Sequence, residues 1–215
     1  MRYVPFKIYN GHDNMQIDSD LLDEAIKENA KEPIFRLYAW KPRCISLGRN
    51  QKDDFLNKNF LKEQNIDVVR RLTGGRALLH DNELTYSFVA STSMFNNGDS
   101  IIETYKQISQ MFVEKFKTLG IDLTLGNQKH ANGHINYCML VATGADLCYQ
   151  GKKLIGSAQF RKEGYILQHG SILIDYDKQL LKKLFKEEID VTSITCIKEI
   201  NPDISMDDII RLWEK

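Results

Sequence analysis

The sequence predicts an α/β fold of the α+β type, a mixed and largely antiparallel sheet flanked by helices, on three observations. Segments with helical spacing and segments with period-two alternation are interspersed along the chain. The later strand-like runs are joined by short glycine turns, as hairpins are. No regular strand–helix–strand repeat is present, so a strictly parallel sheet is not expected. With 215 residues, 42 % hydrophobic and 27 % charged, the chain has apolar material for one sizeable core, and residues 1–215 are expected to form a single domain.

The elements follow in order. Residues 18–30 place Leu21, Leu22, Ala25 and Ile26 at helical spacing, and 34–40 alternate like a strand. Residues 53–64 read as a second helix, and 66–71 as a short β-rich run that ends near Gly74 and Gly75. Ser100 and Glu103 make a capping box, after which Ile101, Ile102, Tyr105, Ile108, Met111, Phe112 and Phe116 hold helical spacing until Gly120. Strands are expected at 146–150, 153–161 and 165–175, with turns at Gly151 and Gly164, and helices at 177–185 and 205–213.

Bulk properties exclude some functions. Lys+Arg and Asp+Glu are both 29, so nothing in the net charge points to nucleic acid or an anionic membrane. The N-terminal residues lack the apolar core of a secretory signal, and no stretch approaches the roughly 20 apolar residues of a membrane span. The expected location is the cytoplasm. Cys44, Cys138, Cys148 and Cys196 show no CxxC spacing and are expected to be free thiols, with no metal site.

Two segments carry chemistry. In the first, Arg70 and Arg71 precede Thr73-Gly74-Gly75-Arg76, and His80 follows. A glycine pair after a strand lets backbone N–H groups approach an anionic or carbonyl-bearing ligand, and arginines add positive charge. The same pattern also fits a hairpin turn with solvated arginines. In the second, Gly151-Lys152-Lys153 leads into Gly156-Ser157-Ala158 and on to His169-Gly170. Small residues in mid-strand are tolerated where a ligand or another backbone passes close by, and a lysine beside them can point into a cleft or sit in a solvated turn. His80 and His169 fit either a ligand pocket or a satisfied structural role.

These segments, with Leu47-Gly48-Arg49-Asn50-Gln51 upstream, resemble the signature of the biotin/lipoate protein ligase catalytic-domain superfamily over residues 40–175. The nearer resemblance is to its cysteine-dependent octanoyltransferase branch, and the next is to lipoate-protein ligases. What the resemblance implies is an acyl chain held beside the glycine-rich loop, with Arg71, Gly74, Gly75, Arg76, His80, Ser157, Ala158, His169 and Gly170 around the substrate. In that branch the nucleophilic cysteine lies fifteen residues before the family lysine, with a small hydroxyl residue and an acidic residue between. Cys138, Thr143, Asp146 and Lys153 stand in that order here, and 138 to 153 is fifteen. The resemblance thus implies Cys138 as acyl-thioester nucleophile and Lys153 as the group favouring its thiolate. The chemistry is sound, because a free thiol with a pKa of about 8.5 is mostly protonated at neutral pH and a nearby ammonium raises its reactive fraction. Met139 to Ala142 depart from the aromatic and proline residues usual in that branch.

The implied activity is transfer of an octanoyl group from acyl carrier protein to a lysine of a lipoyl-carrier domain, such as glycine cleavage H protein or an E2 subunit, with no cofactor. Alternatives are an ATP- and Mg-dependent lipoate ligase, a lipoyl-domain amidotransferase, and a non-catalytic binder of lipoyl domains. No accessory C-terminal domain is expected after Trp213.

Overall fold

The computed structural model describes residues 1–126, 136–140, 144, 146–185 and 191–214. Its strands are β1 (Arg2–Tyr9), β2 (Ile34–Trp40), β3 (Cys44–Leu47), β4 (Asp67–Arg70), β5 (Leu78–His80), β6 (Glu83–Ser91), β7 (Thr124–Leu125), β8 (Leu147–Tyr149), β9 (Lys152–Lys162) and β10 (Tyr165–Leu173). Its α-helices are α1 (Gly11–Lys27), α2 (Lys58–Glu63), α3 (Ile101–Lys117), α4 (Lys178–Leu184), α5 (Ile197–Ile200) and α6 (Met206–Arg211). Seven strands form one sheet in the order β1-β2-β6-β10-β9-β8-β7, and three form a smaller sheet ordered β4-β3-β5. In the large sheet β1 and β2 run parallel and the other neighbours antiparallel. The expected mixed, largely antiparallel sheet flanked by helices is present.

The two strongest sequence signals become the framework. Helix α3 starts at the Ser100 cap, whose side chain accepts from the Glu103 N–H, and it buries Ile108, Phe112 and Phe116 against one face of the sheet. There Phe112 packs on Tyr86 with ring centroids 4.4 Å apart, and Trp213, just past α6, stacks on Phe35 at 4.2 Å. The β9–β10 hairpin turns at Glu163 and Gly164, both at positive φ, and its register sets Gly170 opposite Ser157 and His169 opposite Ala158.

The opposite face carries α1 and the small sheet. Helix α1 starts at Gly11, seven residues before the expected 18, because Asn10 caps it by accepting from the Asp13 N–H. Its buried stripe includes Asn14 and Asp18 beside Leu22 and Ala25, so apolar spacing alone hides the first two turns. Helix α2 is shorter than the expected 53–64, beginning only after the Asn57 cap. Among the described residues no helix is long and apolar enough to cross a membrane.

Candidate active site

A cavity partly open to solvent lies on the α1 face. Arg71, His80, Cys138, Ser157, Ala158, His169 and Gly170 line it, together with Met15, Tyr38, Trp40 and Leu78. Gly74, Gly75 and Arg76 lie on the adjacent loop and are not among the lining residues.

Cys138 arrives on a segment that runs beside the residue preceding β5. Ala77 N–H donates to Asn136 O at 2.9 Å, and Cys138 N–H donates to Ala77 O at 2.8 Å. The β8–β9 register shifts between Leu147 and Cys148, and the Lys153 side chain lies over Gly156. Its ammonium donates to Asp146 Oδ2 at 3.0 Å and to Cys138 O at 3.1 Å, and stands 4.0 Å from Cys138 Sγ. Both Lys153 and Asp146 are buried, at 2 % and 3 % side-chain exposure. A lysine that far from water needs an anion, which Asp146 supplies. The other Asp146 oxygen accepts the Ser157 N–H at 3.2 Å, tying the ion pair to β9. Thr143, the small hydroxyl residue of the sequence pattern, lies outside the described residues.

Gly156 and Gly170 make room. A Cβ at Gly156 would come within 2.9 Å of Lys153 Cε and 3.0 Å of Met139 Sδ; one at Gly170 would meet the Tyr86 ring at 2.5 Å and Gly156 O at 2.6 Å. Gly75 sits at φ +93°, a conformation that favours glycine.

Arg71 lines the cavity while its guanidinium is held by the chain itself. Its guanidinium donates to Thr73 Oγ1, Ser46 O, Ser46 Oγ, Gly74 O and Arg76 O, at 2.8 to 3.2 Å. It therefore builds the glycine loop from inside, and every N–H is committed to the chain itself.

Both histidines are held in networks. Arg71 Nε donates to Thr73 Oγ1, so the Thr73 hydroxyl is placed to donate to His169 Nε2 at 2.6 Å, while His169 Nδ1 faces Asp18 Oδ2 at 3.4 Å. Asp18 also takes Arg36 Nη1 at 2.9 Å and Tyr38 OH at 2.7 Å. Burial alone would raise the Asp18 carboxyl, yet His169, Arg36 and Tyr38 together hold it below the ordinary value. His80 bridges Ser46 Oγ (2.8 Å) and Glu83 Oε1 (3.1 Å) and stacks on Trp40 at 3.9 Å. Burial lowers the His80 value, opposed by Glu83. Glu83 further accepts from Thr85 and Ser171. Sequence reading missed Asp18, Arg36, Glu83 and Thr85; the available signal was polar residues inside buried periodic stripes.

Cys44, Cys148 and Cys196 are buried and Cys138 is half-buried. Burial raises the thiols of Cys44, Cys148 and Cys196. They pack as small apolar groups.

A half-buried thiol thus stands 4.0 Å from a buried ammonium, at a cavity whose lining includes Met15, Tyr38, Trp40 and Leu78. Comparison with known proteins places it further. Residues 10–215 match the family described as the lipoyl protein ligase A/B catalytic domain, and the chain belongs to that family. It is 39 % identical over 189 residues to the octanoyltransferase LipM of Clostridioides difficile (strain 630), covering 86 % of this chain and 69 % of that one. Against LipM of Staphylococcus aureus (strain NCTC 8325 / PS 47) it is 38 % identical over 182 residues, covering 80 % of this chain and 65 % of the relative. The chain thus spans about two thirds of the length of these relatives. In fold it is similar to lipoate-protein ligase A bound with ATP, with a TM-score of 0.76 at 23 % identity over 98 % of this chain and 81 % of that one. It is also similar to the bi-partite lipoate protein ligase of Thermoplasma acidophilum, solved in a study of that ligase and its E2 lipoyl domain, with a TM-score of 0.71 at 21 % identity over 98 % of this chain and 79 % of that one.

Proposed function

We propose that the protein is an octanoyltransferase that moves an octanoyl group from an acyl carrier protein thioester, through Cys138, to a lysine of a lipoyl-carrier domain. The observation that carries this reading is Lys153 Nζ at 4.0 Å from Cys138 Sγ and 3.1 Å from its carbonyl. Identity of 37 to 39 % to octanoyltransferases over most of the chain supports the acyl group and the acceptor.

In the first step the Cys138 thiolate attacks the donor thioester carbonyl. The tetrahedral intermediate collapses, a Cys138–acyl bond forms, and the carrier leaves as a thiol after taking a proton. Exchange of one thioester for another is nearly isoenergetic, so no ATP or metal enters this route. In the second step the neutral amine of the acceptor lysine attacks the Cys138 thioester. An amide forms, the Cys138 thiol is released, and the proton lost by the amine balances the one taken by sulfur. Lys153 stabilises sulfur as it becomes anionic, and Asp146 fixes where that ammonium stands. The apolar wall suits a saturated chain.

For the ATP-dependent alternative, Arg71 and Lys153 would have to grip phosphate. All five Arg71 N–H groups are held by the chain's own acceptors and Lys153 is ion-paired with Asp146, which favours the transferase reading. The test is octanoyl transfer to a purified lipoyl domain from octanoyl-carrier protein, with ATP omitted. Product without ATP, lost in Cys138→Ser, is expected. Product that appears only with ATP and free octanoate would establish the ligase route instead.

A further inference from the structure

The run Leu47-Gly48-Arg49-Asn50-Gln51 contributes no wall to the cavity, yet it reaches the segment that carries the thiol. Its backbone makes a tight turn, with Gln51 N–H donating to Gly48 O at 3.0 Å. Arg70 Nη1 clamps that turn by donating to the carbonyls of Gly48, Arg49 and Gln51 at 2.7, 3.2 and 2.8 Å. The turn is also fastened to the glycine loop: Arg49 N–H donates to Thr73 O at 2.9 Å, and a Cβ at Gly48 would run into Gly75 O. From this framework the Gln51 side chain bridges outward. Its Oε1 accepts the Gly48 N–H at 3.3 Å and its Nε2 donates to Asn136 O at 3.0 Å. A backbone N–H only donates and a carbonyl only accepts, so the amide has one orientation.

Asn136 stands two residues before Cys138. Its carbonyl also takes the Ala77 N–H at 2.9 Å, Cys138 N–H donates to Ala77 O at 2.8 Å, and Cys138 O receives Lys153 Nζ at 3.1 Å. Ala77 pairs with Tyr137 as an isolated bridge, and single hydrogen bonds each add little net stability. A further donor from a turn that is itself clamped therefore removes freedom that would move the sulfur. We propose that Gln51 is a positioning residue for acyl transfer: it anchors the Cys138 segment to the glycine-loop framework, so that Cys138 Sγ keeps its 4.0 Å separation from Lys153 Nζ while the thioester forms and breaks. The inference rests on Cys138 being the nucleophile.

The experiment compares two variants at about pH 8, where a glutamate is ionised. Gln51→Glu keeps an acceptor for the Gly48 N–H but sets a carboxylate oxygen against Asn136 O; Gln51→Met removes both bonds. The readouts, on the full chain, are the rate of Cys138 acylation across concentrations of octanoyl-carrier protein and residue-resolved hydrogen exchange of the Cys138 amide. Both variants should lower the maximal acylation rate, Gln51→Glu by about tenfold, with the half-saturating donor concentration within about twofold of wild type, because the nucleophile is displaced and the donor's contacts are not. Exchange at Cys138 should quicken roughly three- to tenfold in both, the equivalent of one hydrogen bond, while amides of β6 and β10 keep their wild-type rates. A side chain that only closes its own turn gives a different pattern, with Gln51→Glu like wild type and Gln51→Met alone impaired. That pattern, wild-type behaviour in both variants, or equal quickening in β6 and β10 would overturn the proposal. Should Gln51→Glu not fold, exchange at Cys138 in Gln51→Met decides, and a wild-type rate there refutes the role. If the wild-type protein takes up no octanoyl group, the activity reading falls, and the exchange result alone upholds or refutes the Gln51 anchor.

Discussion

Gly156→Ala separates the chemistry of the site from its stability. Ordinary contact begins at 3.4 Å, and the new methyl would stand 2.9 Å from Lys153 Cε, so that side chain has to retreat by about 0.5 Å, with Nζ at 3.3 Å following it. Side-chain ends yield cheaply, and an off-rotamer adjustment costs about 1 kcal/mol. The same movement takes the ammonium off its 4.0 Å approach to Cys138 Sγ. A misplacement of about 1 Å at a reacting group costs up to 10²-fold, so half of that predicts roughly a tenfold loss of acyl loading. Gly170→Ala is the control, because its methyl would meet the Tyr86 ring at 2.5 Å and the Gly156 carbonyl at 2.6 Å, neither of which is a flexible end. That variant should lose about 3 kcal/mol and melt roughly 6 to 12 °C lower. Thermal unfolding and the initial rate of Cys138 acylation, measured on both variants, check this. Wild-type loading in Gly156→Ala, or a melting loss there as large as in Gly170→Ala, would refute the reasoning.

Three further outcomes are expected. Asp18→Asn leaves Arg36 buried without its anion and should cost about 3 to 5 kcal/mol in a urea titration, with an unchanged denaturant slope. His80 is held below its ordinary 6.5 by burial, so below that pH the unfolded chain binds a proton the folded chain refuses. Stability should be flat above about pH 7 and fall as pH drops through 6.5, and His80→Gln should reduce that slope. Phe112→Ala opens a cavity between α3 and the sheet and should cost about 3 to 5 kcal/mol while leaving the rate of Cys138 acylation in the folded fraction near wild type.

How much was legible depends on what each element buries. Helix α3 and the β9–β10 hairpin could be read because their periodicity and their cap or glycine turn agree. Strand β1 was missed because it is an edge strand containing Pro5 with little of it buried, so no apolar alternation marks it. In the small sheet β4 falls within the β-rich run expected at 66–71, whereas the three-residue β5 is too short to show a pattern. In the site, the interval between Cys138 and Lys153 carried meaning only through a family resemblance. Their meeting depends on Cys138 pairing with Ala77, sixty-one residues earlier in the chain, which local spacing cannot show. Arg71 was visible as a basic residue beside a glycine pair, but its inward fork onto Ser46, Gly74 and Arg76 was not.

Cys138 carrying an octanoyl thioester is the central claim, and intact-protein mass after incubation with octanoyl-carrier protein, ATP omitted, tests it most directly. The account predicts a gain of one octanoyl group that is removed by hydroxylamine, maps to Cys138 and is absent in Cys138→Ala. No gain in mass, or undiminished transfer to a lipoyl domain by Cys138→Ala, would contradict it.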